Sequence, residues 1–226
     1  MKHKNEVCVL VQARLGSQRV PQKMIRPFCG SSLTEIVLKK LTSSSIIPTE
    51  NVWLSAFESE LKKVGQKCGV NIYDRSEKSA NSEGDKLSEI YEWHNKLNYK
   101  YVVLVSGCNP LLKIQSIDKF YNKFLNSSKQ GAFAVFEKKT YYWDVNGKSI
   151  TDWNGLPIMD TKRVDPIYEA AHCLYASRMD YVNDGFWMDN KCPAEPELIK
   201  IPEIEAFDID YEWQFELAQT LYKNAF

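Results

Sequence analysis

Val7-Cys8-Val9-Leu10-Val11-Gln12-Ala13-Arg14-Leu15-Gly16-Ser17-Gln18-Arg19-Val20-Pro21-Gln22-Lys23 begins as an unbroken apolar run and then turns into a basic loop. Residues 7–11 have the character of a strand buried on both faces of a parallel sheet, since no polar side chain alternates outward. The loop carries Arg14, Arg19 and Lys23 around Gly16 and Ser17. Open α/β sheets bind ligands at the carboxyl ends of their strands. Three cations with free backbone N–H groups around a glycine suit a polyphosphate. The spacing matches neither G-x-x-x-x-G-K-[ST] nor G-x-G-x-x-G, so neither of those nucleotide motifs applies. A surface loop with merely solvated basic side chains accounts for the same residues, and the loop alone leaves both readings open.

The rest of the chain makes any anion site a local one. Its 226 residues hold 29 Lys+Arg against 29 Asp+Glu, so no global basic field is present to collect nucleic acid. The length fits one large α/β domain. Six cysteines (8, 29, 68, 108, 173 and 192) are scattered without a C-x-x-C pair. Reduced thiols and a cytoplasmic, soluble protein are therefore expected. No stretch approaches the roughly 18 apolar residues of a membrane span, and the N-terminal apolar run is too short for a signal peptide.

Outward from the loop, apolar runs and amphipathic segments alternate. Strands are predicted at 7–11, 52–55, 71–73, 101–105 and 132–136, with helices at 31–41, 58–68, 85–97 and around 117–125. Ser32-Leu33-Thr34-Glu35 is a capping box at the first helix, and 74–84 reads as a polar loop. The alternation predicts parallel strands joined by right-handed crossovers in a three-layer sandwich. Beyond Phe136 the rhythm changes, and Asn146-Gly147 between 141–145 and 149–153 signals a hairpin. Its Tyr141, Tyr142, Trp143 and Trp153 form an aromatic face that either meets another subunit or folds back on its own domain. Further strands are predicted at 171–176 and 197–201. A short helix is predicted from Ser177 to Gly185, and a last helix over 211–222 with Trp213, Leu217 and Leu221 inward.

Asp208-Ile209-Asp210 is the acidic candidate. On extended backbone, residues i and i+2 project to one side, so two carboxylates can share one hard cation such as Mg²⁺. Alternatively, Asp210 caps the last helix and Asp208 is solvated. His94 and His172 read as packed residues, and the three histidines do not form a metal cluster by spacing. There is no G-x-S-x-G motif and no Cys–His pair, so covalent catalysis is not indicated.

Taken together, these residues resemble a known family. Ala13-Arg14-Leu15-Gly16-Ser17, Arg19, Pro21 and Lys23 look like the N-terminal signature of the cytidylyltransferases that activate acidic sugars as CMP conjugates. Acylneuraminate (nonulosonate) synthetases are the nearer members and Kdo synthetases the more distant. Asp74-Arg75, Ser106-Gly107-Cys108-Asn109-Pro110-Leu111-Leu112 and Phe207-Asp208-Ile209-Asp210 follow in the family's order.

The resemblance implies a single domain over 1–226 with a mostly parallel Rossmann-like sheet, a projecting dimerisation hairpin at about 137–170, and a homodimer. It implies CMP transfer from CTP to the anomeric hydroxyl of an acidic 2-keto sugar, with release of pyrophosphate. By the same resemblance Arg14 and Lys23 carry the charge of the triphosphate, and Gly16, Ser17 and Arg75 help hold the nucleotide. Asp208 and Asp210 hold Mg²⁺ or Mn²⁺, Ser106 and Asn109 face the sugar, and Arg19 is peripheral. Neither nucleic acid nor membrane is an implied partner. Gln18 replaces the lysine of many sialate-type members, Met24 their asparagine and Ser106 their glutamine, while Cys108 replaces the aspartate of Kdo-type enzymes. Sugar recognition is therefore expected to differ while triphosphate and metal handling are kept. Two rival readings stand beside this one: a GT-A glycosyltransferase, whose Asp-x-Asp falls mid-chain, and a catalytically silent nucleotide-binding relative.

Overall fold

Val7–Gln12 forms β1, and each of its first five residues is buried, as the apolar run requires. It lies inside a seven-stranded sheet of order β3-β2-β1-β4-β6-β5-β7. The other strands are β2 (Val52–Ala56), β3 (Asn71–Asp74), β4 (Tyr101–Val105), β5 (Ala132–Lys138), β6 (Ile167–Arg178) and β7 (Glu197–Lys200). The helices are α1 (Leu33–Thr42), α2 (Ser59–Lys67), α3 (Glu77–Ala80), α4 (Leu87–Ile90), α5 (Ile114–Asn126) and α6 (Glu212–Ala225). The computed structural model describes residues 1–81, 86–152, 158, 160–184 and 196–225.

The two faces of β1 separate the core into two clusters. Val7, Val9 and Val11 pack with Leu38 and Leu41 of α1, Leu61 of α2, Phe120 and Phe124 of α5, and Phe215 and Ala218 of α6. Cys8 and Leu10 face the other way, onto Trp93, Met179 and Val182. Both sheet faces are thus covered, which is why the central strands carry no polar alternation. The chain runs outward from β1 through β2 to β3 and then returns to place β4 on the opposite side of β1. Strand order reverses there, and a crevice opens at the carboxyl ends of β1 and β4.

Several elements depart from the sequence-based expectations. Strands β1 to β5, the alternating part, run in one direction as expected, and β6, beyond that part, runs antiparallel to both β4 and β5 in the interior of the sheet. The register of its pairing with β5 shifts between Phe133 and Val135, and the non-glycine His172 takes φ 52° there. It is an exposed residue, not a packed one. The 85–97 helix is instead α4 followed by a 3₁₀ turn, Glu92–Asn95, and its expected start at Asp85 lies outside the described residues. That break buries Trp93 completely.

The 74–84 loop contains the short helix α3, and residues 82–84 lie outside the described residues. Ser177 belongs to β6 and the expected helix is a 3₁₀ segment, Met179–Asp184, with Gly185 outside the described residues. On α6 the inward face is Phe215 and Ala218, while Trp213 and Leu217 are exposed. The hairpin around Asn146-Gly147 carries an isolated bridge, Trp143 to Ser149, with the Asp144 N–H donating to the Lys148 carbonyl and the Ile150 N–H to the Tyr142 carbonyl, and Trp153 lies outside the described residues.

Candidate active site

The basic loop is shaped by its own backbone and by neighbours from the next crossover. Past β1 the Ala13 N–H donates to the Ser55 carbonyl at 3.0 Å, and the Leu15 N–H donates to Oε1 of Glu58 at 2.7 Å. Val20 is fully buried and anchors the loop, while Gln22 adopts φ 54° and turns the chain toward α1. Arg14, Gly16, Ser17, Arg19, Lys23 and Cys108 line a cavity of about 400 Å³. A second cavity of about 370 Å³ shares Gln12, Ala13, Arg14 and Cys108 with the first and extends to Arg75, Tyr91, Ser106 and Tyr175. The shared residues join the two into one trough over the strand ends.

The acidic segment reaches the same trough from the far end of the chain. Ile209 is fully buried, and its N–H donates to the Cys108 carbonyl at 3.2 Å. The Lys23 ammonium donates to the Ile209 carbonyl at 2.6 Å, which ties the basic loop to this segment. With Ile209 inward, the flanking Asp208 and Asp210 side chains project to the opposite side of the segment. Arg19 Nη2 donates to Asp210 Oδ1 at 2.6 Å, and its guanidinium lies 5.1 Å from the centre of the Tyr211 ring. Arg19 is therefore part of the trough and not peripheral to it. The cap of α6 comes from Gln214, whose Oε1 accepts from the N–H groups of Asp210 and Tyr211 at 2.7 and 2.8 Å. The Asp210 side chain is thus turned to Arg19 and away from helix capping.

Asp208 Oδ1 is buried and has no hydrogen-bond partner among the described residues. Burial, and then the neighbouring Asp210, push the Asp208 carboxyl above the ordinary carboxylate range, against the pull of Lys23 and Arg19. An orphaned carboxylate oxygen beside a second carboxylate that already holds a cation is a donor set suited to a hard divalent ion. Among the described residues no group of three His, Cys, Asp or Glu forms a metal cluster. Two carboxylates would leave the remaining positions to substrate oxygens and water, as Mg²⁺ prefers. Cys108 adds little as a ligand. Burial raises its thiol pKa, and its sulfur sits 3.9 Å from that of Met24.

The short helix α3 gathers two arginines. Arg75, 3% exposed, donates from Nε to Ser79 Oγ at 2.8 Å and from Nη2 to the Ser79 carbonyl. Arg14 Nη1 donates to the Ala80 carbonyl at 3.2 Å. Burial and the adjacent Arg14 lower the Arg75 pKa to about 10. Ser106 Oγ accepts from the Cys108 N–H at 3.1 Å, so its hydroxyl shapes the strand-end loop as well as lining the trough. Asn109 is buried, and its amide donates to the Ala206 carbonyl at 2.9 Å, bracing the approach to Asp208.

Other residues of the trough carried little signal in the sequence. Gln12, at the end of β1, accepts from Trp93 Nε1 at 2.7 Å. Tyr175 lines the trough, and its hydroxyl lies 2.7 Å from Nδ1 of His172. The β6 irregularity that presents this pair has no local sequence signature.

Comparison with known proteins adds to this geometry. A family model described as cytidylyltransferase matches residues 8–180. The pseudaminic acid cytidylyltransferase of Campylobacter jejuni is 25% identical over 232 residues, covering 95% of each chain. A 3-deoxy-manno-octulosonate cytidylyltransferase of Francisella tularensis is 24% identical, covering 65% of this chain and 58% of its own. Among solved structures, a CMP:2-keto-3-deoxy-manno-octonic acid synthetase complexed with CTP superposes with a TM-score of 0.70 at 12% identity, covering 98% of this chain and all of the other.

Proposed function

Because the chain belongs to the cytidylyltransferase family, we propose that it transfers CMP from CTP to the anomeric hydroxyl of an acidic 2-keto sugar of the nonulosonate class, releasing pyrophosphate. The observation that carries this reading is the convergence of two segments from opposite ends of the chain. The loop of Arg14, Arg19 and Lys23 meets Asp208-Ile209-Asp210 through the 2.6 Å contacts from Lys23 to Ile209 and from Arg19 to Asp210. The coverage shared with the pseudaminic acid enzyme supports a nine-carbon acidic acceptor over other sugars.

In this reading the sugar hydroxyl oxygen attacks the α-phosphorus, and the bond to the pyrophosphate oxygen breaks. Arg14 and Lys23 neutralise the charge that builds on the leaving group, while Gly16 and Ser17 offer N–H and hydroxyl donors to phosphate oxygens. Arg75, fixed by Ser79, holds the nucleotide at the other end of the trough. Asp208 and Asp210 would hold a magnesium ion, which when bound supplies charge neutralisation at the phosphates. Ser106 and Tyr175 line the part of the trough left for the acceptor. Asn109 serves the acceptor only indirectly, by positioning the loop. Catalysis of this kind is mostly positioning and charge, with no covalent enzyme intermediate. We also propose a cytoplasmic homodimer joined through the segment between β5 and β6; no helix among the described residues is long and apolar enough to cross a membrane.

The test is pyrophosphate release from CTP and Mg²⁺ against a panel of nonulosonic and octulosonic acids. Release that requires both CTP and one of the nine-carbon acids supports the proposal. Transfer from a UDP- or GDP-sugar in its place would sink it in favour of a glycosyltransferase. CTP-induced thermal stabilisation without turnover on any acid would identify a silent relative.

A further inference from the structure

Arg19 has two possible engagements in the trough, and the structure shows one of them. Its Nη2 lies 2.6 Å from Asp210 Oδ1, with both side chains well exposed at 56% and 37%. Exposed pairs of this kind are weakly held and exchange readily. The same side chain lines the cavity with Arg14 and Lys23, the other cations of the loop. A guanidinium seated on Asp210 also opposes a divalent cation between Asp210 and Oδ1 of Asp208, which has no hydrogen-bond partner among the described residues, because like charges would meet there. Lys23 also acts on Asp208, but its ammonium donates to the Ile209 carbonyl, and it is Arg19 that pairs directly with Asp210.

We propose that Arg19 is a resident counter-ion of the free site. It occupies Asp210 until a triphosphate offers it a new anion, so that a divalent cation enters with the nucleotide and not before it. Arg19 is here a positioning residue for the metal pair, and the proposal rests on reading Asp208 and Asp210 as metal ligands. Guanidinium recognises phosphate as readily as carboxylate, which makes the exchange chemically symmetric. No bond is made or broken; two ion pairs trade partners. The result is positive coupling between nucleotide and cation.

Mn²⁺ alone, titrated into the free protein and followed by loss of the free-ion electron paramagnetic resonance signal, tests this directly. Wild type should bind it weakly, while Arg19→Gln and Arg19→Met should bind it at least about fivefold more tightly. Arg19→Lys, which keeps a cation, should stay close to wild type. Asp208→Asn added to Arg19→Gln should abolish the gain. Arg26→Gln serves as the control for a general charge effect, because Arg26 pairs with Glu212 at 2.6 Å, and it should leave Mn²⁺ affinity unchanged. Melting curves verify that each variant is folded. If wild type holds Mn²⁺ in a ternary complex with CTP, seen by enhanced water-proton relaxation, yet the Arg19 variants bind the free ion no better, the counter-ion proposal is overturned. If no ternary complex forms at all, the metal reading itself fails and the counter-ion role falls with it.

Discussion

Asp208 and Asp210 flank a residue, Ile209, that is wholly buried, and this alternation puts both carboxylates on the side opposite to it. The pair and its spacing were legible in the sequence. The partner that meets it was not, because Arg19 lies in a loop whose path depends on the left-handed Gln22 and on buried Val20. Asn109 shows the converse. Its place in a strand-end motif was clear, but its burial and its bond to Ala206 could come only from the folded chain. Asp210→Asn should lower turnover at least about a hundredfold, the scale of losing one charge-organising group. Asp210 is half-exposed, so the melting temperature should stay close to wild type; near-normal pyrophosphate release from this variant would remove the metal role. Arg14→Ala should weaken CTP binding about tenfold or more, the loss of one charged hydrogen-bonding group. Calorimetry returning the wild-type affinity would refute the phosphate-loop assignment.

Between elements, α1 illustrates what local pattern encodes. Ser32 accepts from the Glu35 N–H at 3.2 Å, one half of the expected capping box, and the apolar stripe of the helix is buried. Tertiary structure then gives Glu35 a second task. Its carboxylate pairs with Lys39 at 2.8 Å within α1 and with Lys67 of α2 at 3.1 Å. These partners hold the Glu35 carboxyl down at about 2. A depressed carboxyl stabilises the fold at pH values above its unfolded pKa of about 4.3, and that stabilisation disappears as pH falls toward 2. Glu35→Gln should therefore cost up to about 1 kcal/mol at neutral pH, discounted because Lys39 and Lys67 are 63% and 71% exposed. Thermal melts across pH should show the gap from wild type closing in acid, and a gap that is constant with pH would mean that the ion pairs contribute nothing. Elements whose direction or phase depends on distant neighbours were less legible. Strand β6 was legible as a strand in its apolar second half, but its antiparallel direction was not, since periodicity records burial and not direction. On α6, apolar residues occur on two stripes, and packing in the core, with Phe28 edge-on to Phe215, selects the stripe of Phe215 and Ala218 as inward.

At the level of the whole molecule, β5 and β6 continue past the body of the sheet. Val135 to Lys138 pair with Ala170 to Ile167, whereas β4 pairs only with the later half of β6, from Leu174 to Arg178. The chain between these strands presents Trp143 (53% exposed), Val145 (101%) and Ile150 (58%), with Tyr168 (42%) on the strand itself. Four large apolar side chains exposed on one projecting segment are unusual for a monomer and fit a surface covered by a second copy. A second exposed group, Ile204, Tyr211, Trp213 and Leu217, lies near α6 and is the competing surface, and the balanced charge of 29 against 29 leaves no long-range repulsion to keep copies apart. Sedimentation equilibrium should therefore give about twice the 26.1 kDa chain mass at micromolar concentration. Trp143→Ser combined with Tyr168→Ser should shift the equilibrium to monomer. Trp213→Ser, which removes an equally exposed aromatic from α6, should leave the dimer intact. A wild-type protein that sediments as a monomer, or a dimer lost on Trp213→Ser and kept in the double variant, would move the interface away from the β5–β6 extension. Because this extension is continuous with β6, which carries Tyr175 into the trough, the double variant should also be assayed for turnover. A monomer with an intact melting temperature but a raised KM for the sugar acid, at unchanged affinity for CTP, would indicate that assembly helps shape the acceptor side of the site and leaves the nucleotide side to the single chain.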